Sequence, residues 1–117
     1  MKTVIKLILL TFFLLTLLLL TTDLQQPVLA ETVDSAKVFK KNCAGCHING
    51  GNIIRRGKNL KMRAMKKYKM DSVSAISQIV TYGKNNMSAY KDTLSESEIQ
   101  AVSIYVLNQA RNNWRKK

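Results

Sequence analysis

The sequence predicts an all-α domain of about four helices behind an N-terminal leader. Three observations carry this. Beyond Ala30 the apolar residues recur at helical spacing, as in Val73, Ile76, Ile79 and Val80 and again in Ile99, Val102 and Val106. Helix-starting residues stand before these stretches, most clearly in the capping box Ser95-Glu96-Ser97-Glu98. No stretch alternates with the two-residue period of a strand, and no repeat or low-complexity tract follows Ala30.

The elements follow in order. Asp34 or Ser35 caps a first helix, whose Val38 and Phe39 lead into Cys43-Ala44-Gly45-Cys46-His47. A loop rich in Gly and Asn (48–52) and a basic connector to Lys58 come next, then a short second helix over 59–68. Asp71 or Ser72 starts the third helix, which stops near Gly83 because glycine ends helices cheaply. The fourth begins at the capping box. Its stripe runs Ile99, Val102, Val106 and then Gln109 or Ala110, flanked by Tyr105 and Leu107.

The leader is legible by itself. Lys2 and Lys6 form a basic start, residues 7–20 are nearly pure apolar, and Val28-Leu29-Ala30 is a small-residue cleavage signal. Residues 1–30 are expected to be removed as a signal peptide, leaving 31–117 as one domain with no stable membrane insertion. The competing reading is an uncleaved anchor with 4–20 stretched across a bilayer. No Arg- and Ser-rich transit peptide precedes the signal, which points to a bacterial or plastid-encoded gene and to export across one energy-transducing membrane.

The chain has 117 residues, with 19 Lys or Arg against 7 Asp or Glu. That length excludes Rossmann halves, barrels and multidomain enzymes. Two of the cations and one of the acids precede residue 31, so the mature part keeps 17 and 6, a net +11. A domain of 87 residues buries a modest core and usually needs a staple.

Cys43 and Cys46 supply it. C-x-x-C-H is the pattern of covalent c-type haem attachment. Two thiols add across the two haem vinyl groups, so they must lie about one helical turn apart. The histidine after the second thiol is then presented to the iron. A thioredoxin-like dithiol wants a βαβ context, and a zinc site wants four ligands where this chain owns three Cys or His. A structural disulfide would leave His47 unexplained. One covalent haem c, with its iron, is the expected cofactor.

No second histidine is available for the far side of the iron, which leaves methionine as the natural ligand. Met62 and Met65 are spaced for one helix face and suit core packing. Met70 stands beside Asp71 at a helix junction. Met87 sits in a polar loop, 83–89, between two helical patterns, and loops carry ligands across from a rigid scaffold. Met87 is the expected distal ligand, opposite His47.

Residues 55–69 hold Arg55, Arg56, Lys58, Lys61, Arg63, Lys66, Lys67 and Lys69 without one acid. This is either a solvated helix face or a docking surface for an acidic protein partner. Export and a single nearby aromatic, Tyr68, argue against nucleic acid.

The stretches DSAKVFKKNCAGCHINGGN, GKNLKM, the Met87 loop and LSESEIQAVSIYVLNQARNNW together resemble the cytochrome c6 family of algae and cyanobacteria. They cover nearly all of 34–114. The resemblance implies a class I cytochrome c fold and a soluble, monomeric one-electron carrier in the thylakoid lumen of an algal plastid or cyanobacterium. It would take electrons from the cytochrome b6f complex and deliver them to photosystem I. The alternative is a bacterial periplasmic carrier feeding a respiratory terminal oxidase. By position, Cys43 and Cys46 anchor haem, His47 and Met87 ligate iron, Asn52 lies near the haem, and Lys58, Asn59 and Leu60 lie near a propionate. Three positions depart from the family. Ser88 replaces a proline after the methionine, Arg56 replaces a proline near the proximal histidine, and Thr93 replaces an arginine. The implied protein is a divergent member. A haem enzyme such as a peroxidase would need an open sixth position and distal acid–base groups, and this chain has one histidine. The expected role is therefore not enzymatic.

Overall fold

The computed structural model describes residues 1–20 and 33–115. The expected cleavage after Ala30 lies outside the described residues. The chain divides into two units, Met1–Ala30 and Glu31–Lys117. In the first, α1 (Lys2–Leu20) carries apolar side chains that are exposed on all faces over residues 4–17, Phe12 and Phe13 among them. At 1.5 Å per residue its apolar run of 7–20 covers about 21 Å, short of the roughly 30 Å of a bilayer core. Among the described residues no helix is long and apolar enough to cross a membrane.

The second unit is helical, and no strand occurs among its described residues. Asp34 caps α2 (Ser35–Asn42): its carboxylate accepts the Lys37 amide at 3.0 Å. The backbone breaks at Cys43, so the cysteine motif forms its own short helix, α3 (Ala44–His47), followed by a 3₁₀ turn, Ile48–Gly50. The second helix expected over 59–68 is shorter, α4 (Met62–Lys67). Asn59 accounts for the late start. Its side-chain oxygen accepts the Lys61 amide at 3.0 Å, a local turn that competes with the helix, and Lys61 is extended.

Ser72, rather than Asp71, caps α5 (Val73–Tyr82) through the Ala75 amide, and Gly83 ends it at φ 68°. The capping box forms as expected: Ser95 and Glu98 exchange side-chain and backbone bonds to open α6 (Glu96–Arg111).

The long α6 packs against α2, α4 and α5. Its buried stripe is Ile99, Val102, Val106 and Ala110, with Leu107 joining the core while Gln109 and Tyr105 stay partly exposed. Val38 and Phe39 meet it from α2, Ile76 and Val80 from α5, and Met65 from α4. Phe39, Tyr105 and Trp114 form an aromatic trio, with Phe39 centroids 5.4 Å from Tyr105 and 5.2 Å from Trp114. The three helices leave a recess beside this core, and the cysteine motif and the 83–90 loop border it.

Candidate haem site

Cys43, Cys46, His47 and Met87 line one cavity of about 300 Å³. Its apolar wall comes from Met65, Ile76, Ile79, Val80 and Val106. Cys43 stands at the start of α3 and Cys46 inside it, so both sulfurs rise from one turn. Burial, and after it the neighbouring Cys46, push the Cys43 thiol up to about 11. Cys46 is exposed.

His47 Nδ1 and the Gly51 carbonyl are 2.9 Å apart. A carbonyl can only accept, so Nδ1 carries a proton, which leaves Nε2 as the nitrogen able to ligate a metal. The Asn49-Gly50 turn makes this contact possible, since both residues take positive φ, 50° and 73°. The donor set therefore suits a haem: two thiols one turn apart, an imidazole with Nε2 free to coordinate, a thioether, and an apolar wall.

The 83–90 loop is tighter than its polar sequence indicates. Lys84 and Met87 exchange both backbone bonds, at 3.0 and 3.1 Å, across an Asn85-Asn86 turn with Asn85 at φ 55°. Beyond it, the Tyr90 amide donates to the Val80 carbonyl at 2.9 Å and the Tyr90 hydroxyl donates to the Asn42 carbonyl at 2.9 Å. Tyr90 also lines the cavity, and burial, with lesser effects from Cys43 and Cys46, raises its phenol pKa and keeps it a donor. Sequence reasoning missed Tyr90, because nothing in its neighbourhood reveals a partner 48 residues away.

Three of the four methionines in residues 33–115 reach the cavity: Met65, Met70 and Met87. Met65 is also core, 2% exposed, as its helix spacing suggests, while Met62 is half-buried and lies off the cavity wall. Met70 ends the turn after α4, its amide bonded to the Met65 carbonyl.

Asn52, Lys58, Asn59 and Leu60 all reach the cavity. Asn52 organises this border: its oxygen accepts the Ile54 and Arg55 amides, and its amide donates to the Lys58 carbonyl. Of the three departures, Arg56 and Ser88 are exposed, and Thr93 donates its amide to the Tyr90 carbonyl. All eight cations of 55–69 are exposed, and Arg55 and Lys58 reach the cavity. The Lys58 and Lys67 ammonium groups lie over the Tyr68 ring, 5.2 and 5.6 Å from its centroid.

A family model described as cytochrome c oxidase, cbb3-type, subunit III matches residues 30–106. The cytochrome c6-like protein of Nostoc sp. (strain PCC 7120 / SAG 25.82 / UTEX 2576) is 57% identical over 116 residues, 98% of this chain and 100% of its own. Among solved structures, cytochrome c6C from Synechococcus sp. PCC 7002 is 63% identical with a TM-score of 0.65, covering 67% of this chain and 95% of that one. Cytochrome c6B from Synechococcus sp. WH8102 is 48% identical with a TM-score of 0.68, covering 71% and 94%.

Fold and cavity define a class I c-type cytochrome, and such a protein holds one covalently bound haem c with its iron. The chain belongs to the cytochrome c6 family of electron carriers.

Proposed function

We propose that the protein carries single electrons from the cytochrome b6f complex to photosystem I in the thylakoid lumen. Cys43 and Cys46 would anchor the haem covalently, and His47 and Met87 would ligate its iron. The observation that carries this reading is the gathering of these four side chains on one largely apolar cavity. When bound, the haem supplies a reversible one-electron iron couple.

The chain does the rest. His47, tied through Nδ1 to Gly51, leaves Nε2 as the nitrogen that would ligate the iron. Met87 brings a thioether, which favours the reduced iron and raises the potential. The apolar wall limits water at the site. The exposed cations of 55–69, two of them at the cavity, steer this side toward an acidic partner. Removal of residues 1–30 releases the domain into the compartment where it diffuses as a monomer.

A second reading keeps the carrier and changes its destination. The match to a cbb3-type oxidase subunit model favours delivery to a respiratory terminal oxidase. One experiment separates them. Reduced, mature holoprotein is mixed with isolated photosystem I under illumination, and in parallel with terminal-oxidase membranes. Light-driven oxidation, faster than oxidation by the oxidase, is expected. Oxidation by the oxidase alone would overturn the photosynthetic assignment.

A further inference from the structure

We propose that Tyr90 is a positioning residue. Its hydroxyl bond to the Asn42 carbonyl straps the methionine loop to the segment that attaches the haem. The inference rests on the reading of Met87 as the distal ligand.

Asn42 is the last residue of α2 and stands immediately before Cys43. Its carbonyl is one of those a helix end leaves without an internal partner. Tyr90 lies three residues after Met87 and donates to that carbonyl across 48 residues of chain. The same tyrosine is held by its backbone amide on Val80 of α5. One residue thus joins the methionine loop to α5 and to the start of the cysteine motif.

The loop needs such a tie. Ser88 follows Met87, and serine leaves φ free where a proline would restrict it. The Lys84–Met87 backbone pair sets the shape of the turn, but it ties the loop only to itself. Tyr90 provides the link from the turn to the opposite border of the cavity. A strap of this kind sets how often the thioether leaves the iron, and so how readily an outside ligand takes its place.

The test is Tyr90→Phe in the mature holoprotein, read by imidazole titration of the oxidised form. The ring is kept and only the hydroxyl is lost. Imidazole affinity should rise roughly three- to tenfold, the equilibrium worth of one lost hydrogen bond. Ser103→Ala is the comparison. It removes a buried hydroxyl bond of 2.7 Å to the Ile99 carbonyl, inside α6 and off the cavity wall. Ser103→Ala should leave imidazole affinity unchanged. Equal affinity changes in both variants, or none in Tyr90→Phe, would overturn the strap. Met87→Ala separates the underlying reading: if it keeps the wild-type spectrum and imidazole affinity, the ligand assignment itself has failed.

Discussion

The indole of Trp114 stands where a side chain on Gly50 would have to go. Trp114 Nε1 donates to the Leu60 carbonyl at 2.9 Å, and the Leu60 amide donates to the Gly50 carbonyl at 2.8 Å. The C-terminal tryptophan, the turn after the cysteine motif and the connector before α4 therefore close on one another. Gly50 has a second reason to lack a side chain, its φ of 73°.

Gly50→Ala should destabilise the holoprotein by more than the roughly 1–2 kcal/mol that a left-handed backbone costs an L-residue. The indole must move as well. Thermal unfolding should show a fall of more than about 5 °C. Trp114→Phe keeps a ring against Phe39 and loses one hydrogen bond, so its cost should be nearer 1 kcal/mol. An unchanged melting temperature for Gly50→Ala would show that the turn is not closed in solution.

Gly83 stands in the same relation to the methionine loop. A Cβ there would lie 2.5 Å from the Met87 carbonyl oxygen and 2.7 Å from the Ala89 amide, and its φ is 68°. Gly83→Ala should push Met87 away from the iron. The expected result is a lower reduction potential and a spectrum resembling that of Met87→Ala. Met62→Leu, off the cavity, should change neither. Spectroelectrochemistry of these variants and of Met70→Leu decides the matter, and ligand loss in Met70→Leu instead would reassign the distal ligand.

A chain made without haem should not hold this fold. The cavity of about 300 Å³ is partly open, so without haem its apolar wall of Met65, Ile76, Ile79, Val80 and Val106 meets water. Small domains have only about 5–15 kcal/mol in all. Far-UV circular dichroism of the mature apo-chain should show most helical signal lost. Thiol labelling gives the sign independently. In the folded chain the Cys43 thiol, pushed up to about 11, would label faster with each pH unit up to that value. In an opened chain, Cys43 and Cys46 should label alike and level off above an ordinary thiol pKa near about 8.5.

Charge reversal tests the basic face. Arg63, Lys66 and Lys67 are exposed, and changing all three to Glu should slow electron transfer to an acidic partner at low salt. Screening should shrink the difference once the Debye length falls toward about 8 Å. Lys37, Lys40 and Lys41, also exposed but on α2, provide a reversal of equal charge elsewhere. Stopped-flow or flash kinetics should show the larger loss in the first variant; equal losses would leave a general charge effect without a docking face.

What was legible in the sequence was local. The capping box at Ser95 and Glu98, the stripe of α6 and the stop at Gly83 depend on neighbours within a turn or two, and they formed as expected. The cysteine motif is legible for the same reason, since its chemistry is set by spacing alone. Asn59 shows where local reading fails: a side chain counted into a helix made a turn instead and delayed α4 to Met62. The ties that shape the cavity are distant. Tyr90 reaches Asn42 over 48 residues and Trp114 reaches Leu60 over 54, and no periodicity encodes either pair.

Tyr68 has a consequence for the cations beside it. Its ring holds the Lys58 and Lys67 ammonium groups at 5.2 and 5.6 Å. A free lysine side chain gives up about 2 kcal/mol of rotamer entropy when an interface immobilises it. These two have surrendered part of that freedom before any partner arrives, so a docked complex loses less by ordering them. Lys58 also reaches the cavity, so one of the lysines restrained in advance stands at its border.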